Sequence, residues 1–321
     1  MRLPKFEYAE PKSIEEASSI LSKEEGAKIL AGGTDLLVNM KHRVETPAVI
    51  MSLKKIPDLS FVRPEDGGIR IGAMTSLKSV YSHPTIAEKL PGLALAASSV
   101  GSYHHQVMGT IGGNLCQQNR CKYFNQSRWW RSSRALCFKA GGELCHVVKK
   151  KNICFSSYCG DVAPSLLVMN AKALLESEEG KREVEVESLF TGDGKSPLGL
   201  RRGEILTEIR VPRECQEGFS TYMKFANRES IDFPIVGASL WASPDTKTVR
   251  LAFTAVDRKP LRARKAEERL SGGLQKSALE EAARLVLEEA KPVNTSLYPA
   301  SHKRDVMGLL LESMITKLLG R

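Results

Sequence analysis

Ala31-Gly-Gly-Thr-Asp-Leu-Leu37 follows directly on a short apolar run, Ala27 to Ala31 (AKILA), and Gly109-Thr-Ile-Gly-Gly-Asn-Leu115 presents the same kind of bend further along the chain. Glycine reaches backbone conformations that other residues avoid, and it lets a ligand approach the main chain closely. Successive N–H groups in such a bend form a concavity that holds anionic oxygens. Thr34, Asp35, Thr110 and Asn114 can add side-chain hydrogen bonds to phosphate, ribitol or ribose. Neither bend is the dinucleotide fingerprint G-x-G-x-x-G, and neither is a P-loop with its lysine. Taken singly, each Gly-Gly pair reads as a structural turn. Two of them, each bracketed by threonine and a second polar residue, read as a ligand site.

Outward from the first bend the pattern alternates between short strands and helices. Ser13-Ile-Glu-Glu16 is a capping box that opens a helix to about Ser22. Ala27–Ala31, Ala48–Leu53 and Ile69–Ala73 read as strands, and Thr34–Met40 as a helical turn. Ile86–Val100 is apolar at helical spacing, broken near Pro91. Ser165–Glu176 has strand character, and Arg210–Gly218 reads as a domain boundary. Beyond it, Ser220–Phe225, Val236–Ala242 and Val249–Val256 alternate like antiparallel strands. Helices are predicted over about Arg262–Ser271, Ser277–Glu289 and His302–Leu319. The last places Val306, Leu309, Leu310, Met314 and Leu318 on one face.

The 321 residues are 42% hydrophobic and 26% charged, as in ordinary globular proteins. The sequence shows no apolar stretch of a membrane span's length and no secretory signal, which points to the cytoplasm. The formal charge of +10 comes from basic residues spread along the chain. Its densest runs, Lys149–Lys151 and Arg262–Lys265, lack the interleaved aromatics of a nucleic-acid surface, so a solvated surface is the preferred reading.

Six of the seven cysteines fall at 116, 121, 137, 145, 154 and 159, and Cys215 stands apart. They lie in or beside a polar stretch, Gln117–Ser157, that has little periodicity and is long for a plain loop. Bound metal is the candidate for what orders it. Four thiolates suit either a [4Fe–4S] cluster or structural zinc. Zinc sites usually pair their cysteines closely, as in C-x-x-C, and no such pair occurs here. The wide, irregular intervals suit a larger cluster, but spacing alone does not choose four ligands from six. Trp129 and Trp130 lie in the same stretch, as cluster shields or as a surface patch, and His146 follows Cys145.

At this point the residues resemble a known family. AGGTDLL (31–37) and TIGGN (110–114) look like the two FAD pyrophosphate loops of the flavoprotein subunits of carbon monoxide and xanthine dehydrogenases. The likeness continues, in order, through IGAMTSL (71–77), GDVAPSL (160–166), GEILTEIRVP (203–212) and YMKFANRESIDFPIVG (222–237), and so covers nearly the whole chain. It implies an α+β fold: residues 1–212 as a vanillyl-alcohol-oxidase (PCMH-type) FAD domain in two subdomains, and 213–321 as a C-terminal α+β domain. By matching motif, Ile29, Leu30, Ala31, Gly32, Gly33, Thr34, Asp35 and Leu36 would wrap the pyrophosphate. Thr110, Gly113 and Asn114 would form the second loop, with Val100 nearby and Gln117 extending it. Asp161 would meet the adenosine or ribityl side, and Leu206 and Lys224 the isoalloxazine. A lysine at the N1–C2=O edge would stabilise anionic reduced flavin. SVGSYHHQVM (99–108) departs from the commoner pattern and leaves His104, His105 and Gln106 without a role.

Relative to most such subunits the chain carries an insert of roughly 40 residues, long by loop statistics. RCKYFNQSRWWRSS and GGELCHV within it resemble the β subunits of 4-hydroxybenzoyl-CoA reductases. That resemblance implies a [4Fe–4S] cluster on Cys121, Cys137, Cys145 and Cys154, with Cys116 and Cys159 as buried bystanders. It also implies partners: a molybdopterin-containing large subunit and a small subunit with [2Fe–2S] clusters, assembled as a dimer of heterotrimers. Electrons would enter from ferredoxin and pass through cluster and FAD toward molybdenum, for reductive removal of a ring hydroxyl from an aromatic substrate. One alternative is an oxidative molybdenum hydroxylase whose FAD passes electrons out to NAD⁺ or another acceptor. An alternative of another class is a zinc-stabilised scaffold without catalysis.

Overall fold

In the computed structural model, which describes residues 2–320, the chain builds three sheets. The first is parallel: β1 (Glu7–Ala9), β2 (Lys28–Leu30) and β3 (Val49–Ser52), in the order β1-β3-β2. Helices Ile14–Lys23 and Leu36–Lys41 make the crossovers. The first of them starts as its sequence implies. Ser13 Oγ accepts the Glu16 N–H at 3.2 Å, while Glu16 reaches back to the Lys12 N–H at 2.8 Å. The first glycine bend joins β2 to helix Leu36–Lys41. It therefore sits at the carboxyl end of a parallel strand, the position where open α/β layers bind ligands.

The second sheet is antiparallel: β4 (Val62–Glu65), β5 (Gly68–Gly72), β6 (Lys172–Ser177), β7 (Gly180–Glu185) and β8 (Ile205–Pro212), in the order β4-β5-β8-β6-β7. Between β5 and β6 the chain forms a layer of short helices. Its apolar residues Leu77, Val80, Leu93 and Leu166 share one core with Ile71 and Ile209 of the sheet. The break predicted at Pro91 is present, with separate helices Pro84–Lys89 and Pro91–Ser98.

The third sheet, β9 (Phe219–Phe225), β10 (Val236–Ala242), β11 (Val249–Thr254) and β12 (Leu261–Arg262), is antiparallel in the order β12-β11-β10-β9. Helices Arg264–Ser271, Lys276–Glu289 and Ala300–Leu319 cover one face, around Leu251, Phe253, Val286, Met307 and Met314. Helices Pro91–Ser98 and Val162–Val168 reach the other face. There Ser165 Oγ meets Ser239 Oγ at 2.6 Å and Gly92 N–H donates to Ser220 Oγ at 3.0 Å. Covered on both sides, β10 is buried at every position, which is why it reads as a continuous apolar run.

Two expectations need correction. Ser165–Val168 is not strand but the end of helix Val162–Val168, all of which is buried. A short apolar run without a polar face carries no period to tell helix from strand. Leu309 is 61% exposed, and Met307, Leu311 and Ile315 take the inward positions of its helix.

Residues 117–157 contain only the turn Arg128–Ser132, the 3₁₀ turn Phe138–Ala140 and isolated bridges. Arg120 and Ser157 zip the two ends together by reciprocal backbone bonds of 2.8 and 3.0 Å. Basic residues are spread through the chain as expected, but acids are not. This stretch holds nine Lys or Arg against one acid, Glu143.

Candidate functional site

The two glycine bends meet each other. A Cβ on Gly32 would lie 2.0 Å from the Met108 carbonyl oxygen and 2.8 Å from Gly109 Cα, so only glycine lets the first bend seat against the second. Gly33 has φ +77°, the left-handed region where glycine is favoured. Among the described residues, the N–H groups of Gly32, Gly33 and Thr34 donate to no protein acceptor. Free amides at the start of a helix are an anion site in waiting. Ile29 and Leu30 lie in β2 behind the bend, and Leu36 opens the helix after it.

In the second bend the amides are mostly spoken for. Gly112 N–H donates to the Ala73 carbonyl at 2.9 Å and Ile111 N–H to Thr75 at 3.0 Å. Thr110 Oγ1 accepts the Gly113 N–H at 3.0 Å, and Asn114 Oδ1 accepts the Val162 N–H at 3.2 Å. This bend is thus braced from the IGAMTSL segment on one side and the Gly-Asp segment on the other. Its Thr110 and Asn114 side chains hold protein rather than point free. Gln117 is buried and its Nε2 has no aligned acceptor, an orphan donor just past the bend. A buried unpaired donor is costly unless something else accepts from it. A groove of about 390 Å³ opens beside the two bends, lined among others by Ala31, Lys54, Ser76, Met108 and Thr110. That is within the usual range for a cofactor site. Free amides with a groove beside them fit a diphosphate-bearing ligand.

Asp161 is buried, with its carboxylate accepting from Tyr222 Oη at 2.7 Å and paired to Lys224 Nζ at 3.2 Å. Burial pushes its pKa up, against the pull of Lys224. Lys224 also donates to the carbonyls of Ser99 and Asp232, each at 2.8 Å. All three ammonium protons have partners, so Lys224 offers a neighbouring flavin charge but no free N–H. Leu206 is a core residue of β8, next to Thr207, whose carbonyl accepts the Ala73 N–H. Val100 packs on the same core. Two of the unassigned residues have local partners: the His105 ring shares a hydrogen bond with Ser102 Oγ at 2.8 Å, and Gln106 donates to the Ser98 and Val100 carbonyls.

Cys121, Cys137, Cys145 and Cys154 line one pocket, with Phe124, Lys139 and His146 beside them. The free space among them is only about 10 Å³. Among the described residues no three His, Cys, Asp or Glu side chains form a set that would hold a single metal ion. Burial holds the Cys121 thiol up at about 11 and raises Cys154 as well. Cys116, pushed to about 12 by burial, and Cys159, at about 11, lie outside this pocket. Lys139 donates to the carbonyls of Gly194 at 2.9 Å and Asn119 at 3.3 Å, and burial lowers its pKa against the pull of Cys154 and Cys121. Nothing in its sequence surroundings marked Lys139 out. Trp129 is 79% exposed, while Trp130 stacks under Arg134 at 3.5 Å.

The sequence pattern of the FAD binding domain in molybdopterin dehydrogenase matches residues 4–214. The chain belongs to that family. The FAD subunit's remainder, residues 221–318, matches the CO dehydrogenase flavoprotein C-terminal domain. Among relatives, the nicotinate dehydrogenase FAD-subunit of Eubacterium barkeri is 30% identical over 83% of this chain and 80% of its own. The carbon monoxide dehydrogenase medium chain of Hydrogenophaga pseudoflava is 28% identical over 99% and 98%. In structure, a chain of reconstituted CO dehydrogenase from Oligotropha carboxidovorans superposes with a TM-score of 0.79 at 26% identity, covering 97% of this chain and 96% of that one. The FAD subunit is therefore part of a molybdenum hydroxylase-type oxidoreductase with the CO dehydrogenase medium-chain fold. Among the described residues, no helix is long and apolar enough to cross a membrane.

Proposed function

We propose that this FAD subunit relays electrons between a molybdopterin-containing large subunit with its [2Fe–2S] partner and an external carrier, and that Cys121, Cys137, Cys145 and Cys154 hold a [4Fe–4S] cluster on the carrier side. The observation that carries the cluster is the convergence of those four thiols on one pocket while Cys116 and Cys159 stay out of it. Four thiolates are the donor set such a cluster requires, and filling the pocket requires the thiols to swing apart. FAD exchanges electrons in pairs or singly, and the cluster singly, which is the chemistry the two groups would supply.

The rest is work for the chain's own residues. The free N–H groups of Gly32, Gly33 and Thr34 would grip the pyrophosphate, with Ile29–Ala31, Asp35 and Leu36 shaping that turn. Thr110, Gly113 and Asn114 would wall the other side, and Gln117 would supply its unpaired Nε2. Asp161 and Lys224 would hold the loop after β9 against the flavin edge, with Leu206 and Val100 as apolar backing. The working division of the chain is 1–212 for flavin and cluster and 213–321 for the C-terminal domain, in the cytoplasm.

The named relatives, nicotinate, carbon monoxide and xanthine dehydrogenases, support an oxidative enzyme whose electrons leave through FAD to NAD⁺ or another acceptor. A second reading has one observation in its favour. The cysteine pocket lies in a stretch with nine basic residues and one acid, which suits an acidic donor such as ferredoxin and the inward flow of a 4-hydroxybenzoyl-CoA reductase-like enzyme. Iron, sulfide and flavin analysis of the purified chain tests the cofactors. Full flavin with no iron retires the cluster, and absent flavin retires the whole reading. Reduction of bound flavin by reduced ferredoxin, compared with its oxidation by NAD⁺, separates the two directions.

A further inference from the structure

We propose that Arg120 is a positioning residue that makes the first glycine bend's hold on the flavin depend on whether the cysteine pocket is filled. The inference rests on the reading of the four thiols as cluster ligands.

Arg120 precedes Cys121, and its backbone is fixed by the paired bonds to Ser157 that close the insert. Its guanidinium donates to Asp35 Oδ1 at 3.1 Å and Asn39 Oδ1 at 3.5 Å, and lies 4.5 Å from the Phe233 ring centre. Asp35 is the residue from which the free-amide bend enters its helix. It stands at the cap position, yet its carboxylate caps nothing. It accepts from Asn39 Nδ2 of its own helix at 3.1 Å and, from the insert, from Arg120 and, at 3.4 Å, from the Gln118 N–H.

The grip continues along that helix. Asn125, whose Oδ1 accepts the Cys121 N–H at 2.9 Å, donates to Asn39 at 3.4 Å. Arg131 donates to the Arg43 carbonyl at 2.6 Å. The stretch that would ligate iron thus holds the flavin bend, its helix and the turn that follows the helix, and Arg120 is the contact nearest the free amides.

The insert has almost no regular structure to order it, so a ligand in the pocket would supply that order. A filled pocket fixes Cys121 beside the backbone pairing that already holds Arg120, and Arg120 with Asp35 then sets the direction in which the Gly32–Thr34 amides point. A second ligand then binds to a segment whose freedom is already lost, which is positive coupling, and such coupling is reciprocal. The pair is partly exposed, with side-chain accessibilities of 22% and 26%, so the effect is one of alignment more than of ion-pair strength.

The test uses the full chain, reconstituted anaerobically with iron and sulfide or stripped by chelator, with FAD affinity read from flavin fluorescence. Filling the pocket is expected to tighten FAD by about tenfold in the wild type. In Arg120→Gln the ratio falls to near one while iron per chain is unchanged. Bound FAD should likewise slow iron loss to chelator in the wild type and not in the variant. If Arg120→Gln fails to retain iron, Arg120→Lys, which keeps the charge without the planar fork, carries the test, and its ratio should fall below that of the wild type. An iron-loaded variant with the wild-type ratio overturns the inference, as does a wild-type ratio of one with iron bound. A wild-type chain that takes up no iron refutes the cluster reading, and this coupling with it.

Discussion

Gly32→Ala is the sharpest probe of the flavin site, because the added methyl has nowhere to go. Its Cβ would meet Met108 O at 2.0 Å, Met108 C at 2.7 Å and Gly109 Cα at 2.8 Å. All three are backbone atoms, so no side-chain rotation relieves the clash. Ordinary contact begins near 3.4 Å, so the two bends must separate by about 1.4 Å. Forcing a methyl into packed surroundings costs about 1–3 kcal/mol, and an unyielding backbone places this case near about 3. Displacing the Gly32–Thr34 amides by about 1 Å also takes them out of hydrogen-bond reach of what they hold. The expected outcome is a protein that purifies nearly free of flavin, with melting lowered by about 4–5 °C. Gly308→Ala is the control. Gly308 lies inside helix Ala300–Leu319 with no atom within 4 Å of its added Cβ, and alanine there should stabilise by about 0.5–1 kcal/mol. A Gly32→Ala protein with stoichiometric flavin and unchanged melting would show that the bends do not clasp the cofactor together.

Cys121→Ser and Cys154→Ser should each lower iron per chain from about four toward zero, whereas Cys116→Ser and Cys159→Ser keep it; iron analysis that ranks them otherwise changes the ligand set. Lys224→Met leaves the Asp161 carboxylate buried with only Tyr222, and should cost about 3 kcal/mol in chemical denaturation. Glu204, forked by Arg182 at 2.5 and 2.7 Å, is held below its ordinary 4.5, the Arg182 hydrogen bonds outweighing burial. Its folded pKa is depressed, so its stabilisation is present above pH 4.5 and is lost as pH falls below it. Glu204→Gln should therefore flatten the acid limb of a melting-against-pH curve, and an unchanged limb refutes the assignment. Trp129→Ala, at a side chain 79% exposed, should shift stability by less than about 0.5 kcal/mol. Replacing Lys149–Lys151 with glutamates should slow reduction by an acidic carrier, most strongly at low salt.

Much of the local structure around the two bends was legible in the sequence because its parts are local. A Gly-Gly bend after a strand, a capping serine with its glutamate, and a proline break each act within a few residues, so type and spacing suffice. Strands 220–225, 236–242 and 249–254 were visible as apolar segments separated by turn residues, although the last two are buried on both faces and carry no burial alternation.

What the local pattern lacked was a partner at long range. The covered helix Val162–Val168 looked like strand because tertiary packing buries all of it and erases its polar face. The partners that hold Lys224 in place, Ser99 and Asp161 from distant segments and Asp232 from the following loop, left no local mark either. The closeness of Gly32 to Met108, the choice of four thiols out of six on one pocket, and the bond from Arg120 to Asp35 all join residues far apart in the chain. Such contacts are set by how sheets and helices stack, which depends on the sum of many weak packing terms and leaves no mark at any single position. The chain by itself determined which donor groups are present, free amides at glycine bends and clustered thiols, because donor chemistry belongs to residue types; the tertiary structure decided which of them face one another, because facing is a property of the packed whole.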